Sequence, residues 1–172
     1  SSIVDFNHDK AFADFDSKIE SHRYLFLASF WNKMRYWNVN IYLTEISWNK
    51  VLHKIIPEFS NTNNIAFNQV KDKLFAYLND SHSNYNYSRI YNNPKRKYSL
   101  YGGRIVNDTL VIKAVFNEDF AKNENIEFGD MIYSINGKNL KDYYTQKFAN
   151  RISTSNNNYL KGIIERSYLL SD

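Results

Sequence analysis

The sequence predicts an α+β chain, with helices gathered in its first half and strands in its second. Three observations carry that prediction. Apolar residues recur at three- and four-residue steps as far as Leu78, the period of a helix face. From Tyr98 onward the apolar runs are short and rich in β-branched or aromatic residues. Asn107-Asp108 and Asn136-Gly137 punctuate those runs, and both dipeptides favour two-residue hairpin turns.

Residues 1–16 place Phe6, Phe12 and Phe15 among Asp and Asn, which suits a short first helix or an ordered arm. Ser17-Lys18-Ile19-Glu20 has capping-box spacing, the serine serving the Glu20 N–H and the glutamate reaching back. Leu27, Phe30, Trp31, Met34 and Trp37 then form one helical stripe, expected to be bundle core. A cap at Thr44 or Ser47 opens the next helix, which carries Trp48, Val51, Leu52, Ile55, Ile56 and Phe59. Pro57 removes a backbone donor, so that helix should bend or end there. After the polar link Asn61 to Asn64, the residues Phe67, Val70, Leu74, Tyr77 and Leu78 mark a third helix ending near Asn79.

Ser83 to Lys97 is polar and turn-prone. Tyr98 to Val106 and Thr109 to Phe116 read as a hairpin, Glu118 to Asn125 as a short helix, and Met131 to Ile135 as a strand. Lys138 to Leu140 returns from the second hairpin turn, and Asp142 should start a helix through Phe148 to Arg151. Ser155-Asn156 can cap a last helix whose apolar face holds Leu160, Ile163, Ile164 and Leu170. Leaving such side chains in water forgoes about 1.5–3 kcal/mol each. That helix should therefore fold back on the chain or lead into a further domain.

The 172 residues suffice for one sizeable domain or two small ones. With 14 Tyr, 12 Phe and 3 Trp, the core should be aromatic and bring many hydroxyls that need partners. A net charge of +4, spread along the chain without a dense patch, argues against a nucleic-acid partner. The absence of cysteine excludes disulfides and thiolate zinc sites. His8, His22 and His53 share no ligand spacing with one another or with carboxylates, so no metal site is expected. The longest apolar run, Tyr24 to Ala28, is too short to span a membrane. A start on Ser1-Ser2, without Met, suggests a processed or truncated beginning.

Leu78-Asn79-Asp80-Ser81-His82 stands where the helical half gives way to the strand-rich half. On its residues alone, Ser81-His82 is either a polar helix exit or part of an active site. Asp80 reads as a hydrogen-bond partner for the N–H groups of the turn.

These pieces in their order resemble the tricorn-like branch of the C-terminal-processing serine peptidases. The matching residues are Phe30-Trp31-Asn32-Lys33-Met34-Arg35-Tyr36, the Trp48 to Pro57 helix and Leu78-Asn79-Asp80-Ser81-His82. A PDZ-like core follows in Phe128-Gly129-Asp130-Met131-Ile132 and Ile135-Asn136-Gly137-Lys138. Arg151-Ile152-Ser153-Thr154-Ser155-Asn156 is similar to the family's linker to its peptidase domain.

The resemblance implies a helical domain over residues 1–88, a PDZ-like domain over 89–152 and a linker helix over 153–172. It makes His82 a general base and Ser81 the residue that orients it. The nucleophilic serine and a glutamate would come from a downstream peptidase domain, so the chain alone would be inactive. It implies no cofactor, a polypeptide substrate or peptide C-terminus as partner, and a periplasmic, cell-surface or secreted setting. Asn93-Pro94-Lys95-Arg96-Lys97 stands where the family has a glycine-rich carboxylate-binding loop. Lys95 and Arg96, with Tyr101, Gly102 and Gly103 nearby, are then the candidate peptide-binding residues. The rival reading is a stand-alone peptide-binding or scaffold module in which Ser81-His82 is structural.

Overall fold

The computed structural model describes residues 14–62, 64–83 and 100–167. It is mixed helix and sheet, an α+β fold, and divides into two compact units. The first unit takes Ser1–Tyr42 with Ser47–Val70, and the second takes Leu43–Ile46 with Lys71–Asp172. No helix among the described residues is long and apolar enough to cross a membrane.

Helices α1 (Glu20–Trp37) and α2 (Trp48–Ser60) form most of the first unit, joined by the start of α3 (Asn64–Ala76). Leu27, Val51, Ile55, Phe59 and Phe67 are buried at its centre. The Phe26 ring stacks on Phe59 and meets Phe67 edge-on, as the aromatic composition led one to expect. Trp31 and Trp48 exchange hydrogen bonds, each indole N–H donating to the other's carbonyl at 3.0 and 2.9 Å. This pins the middle of α1 to the first residue of α2. At the other end Arg23, near the start of α1, reaches Phe59 and Ser60 at the end of α2, so the helices run antiparallel.

That arrangement revises two expectations. Trp37 is exposed and not core, because Trp31 is already level with the first residue of α2 and α1 overhangs beyond it. The N-cap of α1 is Ile19, and the capping box does not form. The buried Arg23 guanidinium instead collects the Ser17 and Lys18 carbonyls, while the Glu20 carboxylate accepts from Ser60 Oγ at 2.7 Å. Helix α2 runs through Pro57 to Ser60. The proline lies on the exposed face, where water can serve the carbonyl that its missing N–H leaves unpaired.

In the second unit β1 (Tyr101–Val106) and β2 (Thr109–Val115) form the expected hairpin. Asn107 and Asp108 both adopt positive φ, as a type I′ turn requires. Helix α4 (Glu118–Glu124) is capped by Asn117, which accepts from Phe120 N, and stopped by left-handed Asn125. The expected strand from Met131 to Ile135 is broken in two. β3 (Met131–Ile132) pairs with β2, and β4 (Ser134–Ile135) pairs with β5 (Lys138–Asn139) about the left-handed Asn136-Gly137 turn. The break falls at Tyr133, whose carbonyl accepts from Leu140 N at 2.8 Å.

Helix α5 (Leu140–Lys147) starts two residues before Asp142, because Asn139 supplies the cap and accepts from Asp142 N. Asn156 likewise caps α6 (Asn157–Ser167), accepting from Asn158 and Tyr159 N–H. The apolar face of α6 folds back on this chain. Ile163 and Ile164 are buried with Ile105, Leu110, Leu140, Tyr144, Phe148 and Ile152.

Gly103 allows β1 to lie close on β2 at a bulge between Gly102 and Gly103. A Cβ there would stand 2.7 Å from Leu110 Cδ1 and 2.9 Å from the Val111 carbonyl oxygen. Gly103→Ala should therefore destabilise the second unit by about 1–3 kcal/mol. At Gly102 the nearest atom is 3.4 Å away on the exposed Phe116 ring, so Gly102→Ala should change stability little. Denaturant unfolding of the two variants checks the contrast. Equal midpoints would remove the close approach as the reason for Gly103.

Asp108, at the hairpin tip, ties the turn to α5 and α6. Its carboxylate accepts from Tyr144 Oη at 3.0 Å and from Lys141 and Lys161 Nζ at 3.2 Å. The Tyr144 hydrogen bond and then the two ammonium groups hold the Asp108 carboxyl below its ordinary pKa. Burial, and then the Asp108 carboxylate, push the Tyr144 hydroxyl up to about 12.

The raised tyrosine contributes stability that is intact below its ordinary value near 10 and is lost as pH rises toward 12. The depressed carboxyl acts at the other end, losing its contribution as pH falls below about 4. Tyr144→Phe should flatten the alkaline decline in unfolding free energy, and Asp108→Asn the acid one. An unchanged pH profile in either variant would count against its assigned group.

Candidate functional site

The last turn of α3 closes with Leu78 N–H on the Phe75 carbonyl and Asn79 N–H on that of Ala76. Asn79 is left-handed at φ 51, so the chain leaves the helix there, just beyond the buried Leu78. Asp80 follows and organises the next three residues.

The Asp80 N–H donates to Ser153 Oγ at 3.0 Å, across 73 positions of sequence. Ser153 is fully buried. Asp80 Oδ1 accepts the His82 backbone N–H at 3.0 Å and lies 3.2 Å from the ring Nδ1. Asp80 Oδ2 accepts from Ser83 Oγ at 3.1 Å, and its carbonyl accepts Ser83 N–H at 2.9 Å. The His82 N–H is the main reason that the Asp80 carboxyl sits below its ordinary range, with the imidazole and the Ser83 hydroxyl adding to it.

An ionised Asp80 can only accept hydrogen bonds, so it holds His82 in the tautomer with the proton on Nδ1. The Nε2 lone pair is then left to take a proton, on a ring whose side chain is 94% exposed. The arrangement is thus an exposed imidazole with a carboxylate against its Nδ1. Ser153 is no nucleophile for it, being buried and engaged with Asp80.

The structure keeps Ser81 and His82 together in this turn, with Ser81 half-buried and the Asp80 carboxylate against the ring. Tyr101, Gly102 and Gly103 lie inside β1, paired with Val115, Ala114 and Ile112. Lys95 and Arg96 lie outside the described residues.

Two features of this turn escaped the reading of the sequence. The contact of Asp80 with the His82 ring was within reach, because an Asx turn places the carboxylate at the N–H two residues on and brings that side chain near. The role of Ser153 was not, since nothing local links it to Asp80.

Compared with protein-family models, with characterised proteins and with solved structures, this chain matches none.

Proposed function

We propose that the chain is the non-nucleophilic front part of a serine endopeptidase, in which His82 is the general base. The observation that carries this reading is the Asp80–His82 pair, held in a turn that Ser153 anchors from the second unit's core. A general base needs a fixed tautomer and a reachable lone pair, and this imidazole has both. Its exposure suits a base that meets its nucleophile on another domain. The second unit would be the PDZ-like module. Its order of hairpin, short helix, short strand, hairpin and helix fits the PDZ-like core suggested by Phe128-Gly129-Asp130 and Asn136-Gly137. On this reading the substrate is a polypeptide and the setting periplasmic, cell-surface or secreted.

The test joins this chain to a nucleophile-bearing peptidase domain of the tricorn-like family and compares wild type with His82→Ala on an unfolded protein substrate. Loss of turnover in the variant is the expected result. Equal turnover would sink the role given to His82.

One observation favours a second reading, a peptide-binding module with no catalytic role. The Asp80 contacts also satisfy the ordinary needs of a helix exit. A chain that binds peptide with unchanged affinity after His82→Ala, and confers no activity when fused, is that module.

A further inference from the structure

We propose that the overhanging end of α1, with the turn that follows it, docks on a lipid surface that carries anionic headgroups. Beyond Trp31, which is level with the first residue of α2, α1 runs on to Trp37, a further ~9 Å of helix. Tyr36, Trp37, Val39 and Tyr42, on this overhang and the turn after it, are 72%, 58%, 81% and 76% exposed. Large apolar side chains concentrated in one short stretch mark an interaction surface, where singly scattered ones would not. They stand on an end of α1 that α2 does not cover. A projecting element of this kind enters a deformable lipid interface more readily than it matches a folded partner. Trp37 and the two tyrosines also have the amphipathic rings that collect at the headgroup level.

The charge at the same end decides which lipids. Between Glu20 and Glu58 the sequence has one acid, Glu45, against Arg23, Lys33, Arg35, Lys50 and Lys54. Arg23 is buried on backbone carbonyls at the far end of the helix pair. The other cations are exposed, Lys33 and Arg35 in the last two turns of α1, Lys50 and Lys54 in the first two of α2. Because the helices run antiparallel, those turns share one end of the pair. Asp16, Glu20 and Glu58 stand at the other end, with Lys18 among them. Arg35 joins the two features, its guanidinium 5.0 Å from the Trp31 ring centre and 5.7 Å from that of Tyr36. A headgroup phosphate at this level meets a cation already held against rings. An aromatic tip with a basic flank is the pattern of an element that lies in an anionic interface.

The inference goes beyond the proposed function and is read without turnover, so either can fail alone. The full chain is mixed with vesicles of phosphatidylcholine, with or without phosphatidylglycerol, and binding is followed by sedimentation and tryptophan emission. Trp31 and Trp48 are already engaged with each other inside the unit, so a blue shift on binding reports Trp37. The expected result is binding to the anionic vesicles, with a blue shift, that weakens as salt rises. Lys50→Gln combined with Lys54→Gln should weaken it roughly tenfold. Trp37→Ser should also weaken it roughly tenfold and remove the shift. Trp37→Phe should remove the shift and keep most of the binding. Substitutions at this exposed position should leave the urea midpoint in place. Should Trp37→Ser lower that midpoint, Tyr42→Ser, on the turn, is held to the same loss of binding. Equal binding to neutral vesicles overturns the proposal, as does binding without a blue shift or undiminished binding of these variants. Self-association in the ultracentrifuge that Trp37→Ser abolishes also overturns it, because a second copy of the chain then covers the overhang.

Discussion

Turnover by a peptidase assembled from this chain and a nucleophile-bearing domain is expected to fall roughly a hundred- to ten-thousandfold on His82→Ala, the range for loss of a positioned general base. The magnitude follows from what alanine removes. The serine proton then has no acceptor beside it, and only binding and oxyanion stabilisation remain. Two further variants divide the site. Asp80→Asn keeps the size of the side chain but no longer compels Nδ1 to carry the proton, so it should lower kcat with little effect on KM. Its cost should be smaller than that of His82→Ala, because the carboxylate is partly solvated and water can substitute for it. Ser81→Ala should cost less again if Asp80 orients the ring, as the 3.2 Å contact indicates. The reverse order of Asp80→Asn and Ser81→Ala would return the orienting role to Ser81.

Arg23→Ala is expected to destabilise the helical unit by about 2–4 kcal/mol, from the carbonyl groups it would leave without a donor. The guanidinium, only 5% exposed, donates Nε to the Phe59 carbonyl at 2.6 Å and Nη2 to that of Ser60 at 2.8 Å. It donates Nη1 to Ser17 and Lys18. The first two carbonyls belong to the last turn of α2, whose acceptors have no partner within the helix and whose dipole favours a cation. The other two fix the approach of the chain to α1. Lysine has the charge but not the planar fork, so Arg23→Lys should fall between wild type and alanine. Urea unfolding followed by tryptophan fluorescence reports on this unit directly, since Trp31 and Trp48 lie in it. A loss below about 0.5 kcal/mol, the range of an ordinary surface substitution, would show the network to be incidental.

Much of the fold was legible because its signals are local. Asn107-Asp108 and Asn136-Gly137 supply the left-handed residues that their turns require, whatever surrounds them. The apolar spacing of Trp48 to Phe59 names the buried face of α2 without reference to its partner. Two of the failures have one physical form. Ser17-Lys18-Ile19-Glu20 satisfied a local rule, but the Glu20 carboxylate that the box needs accepts instead from Ser60 Oγ, 40 positions away. Trp37 continued a valid stripe past the point where α2 was there to cover it.

By itself the sequence determined the helix faces, the two hairpin turns and the Asp-x-His turn, because each depends on the conformational preferences of a few neighbouring residues. Only the tertiary structure decided that Ser153 anchors Asp80, that Gly103 must lack a side chain, and that Glu165 lies on the edge of β1. Each of those is a contact between residues far apart in the chain. Packing chooses such contacts among many that hydrogen bonding and burial would allow.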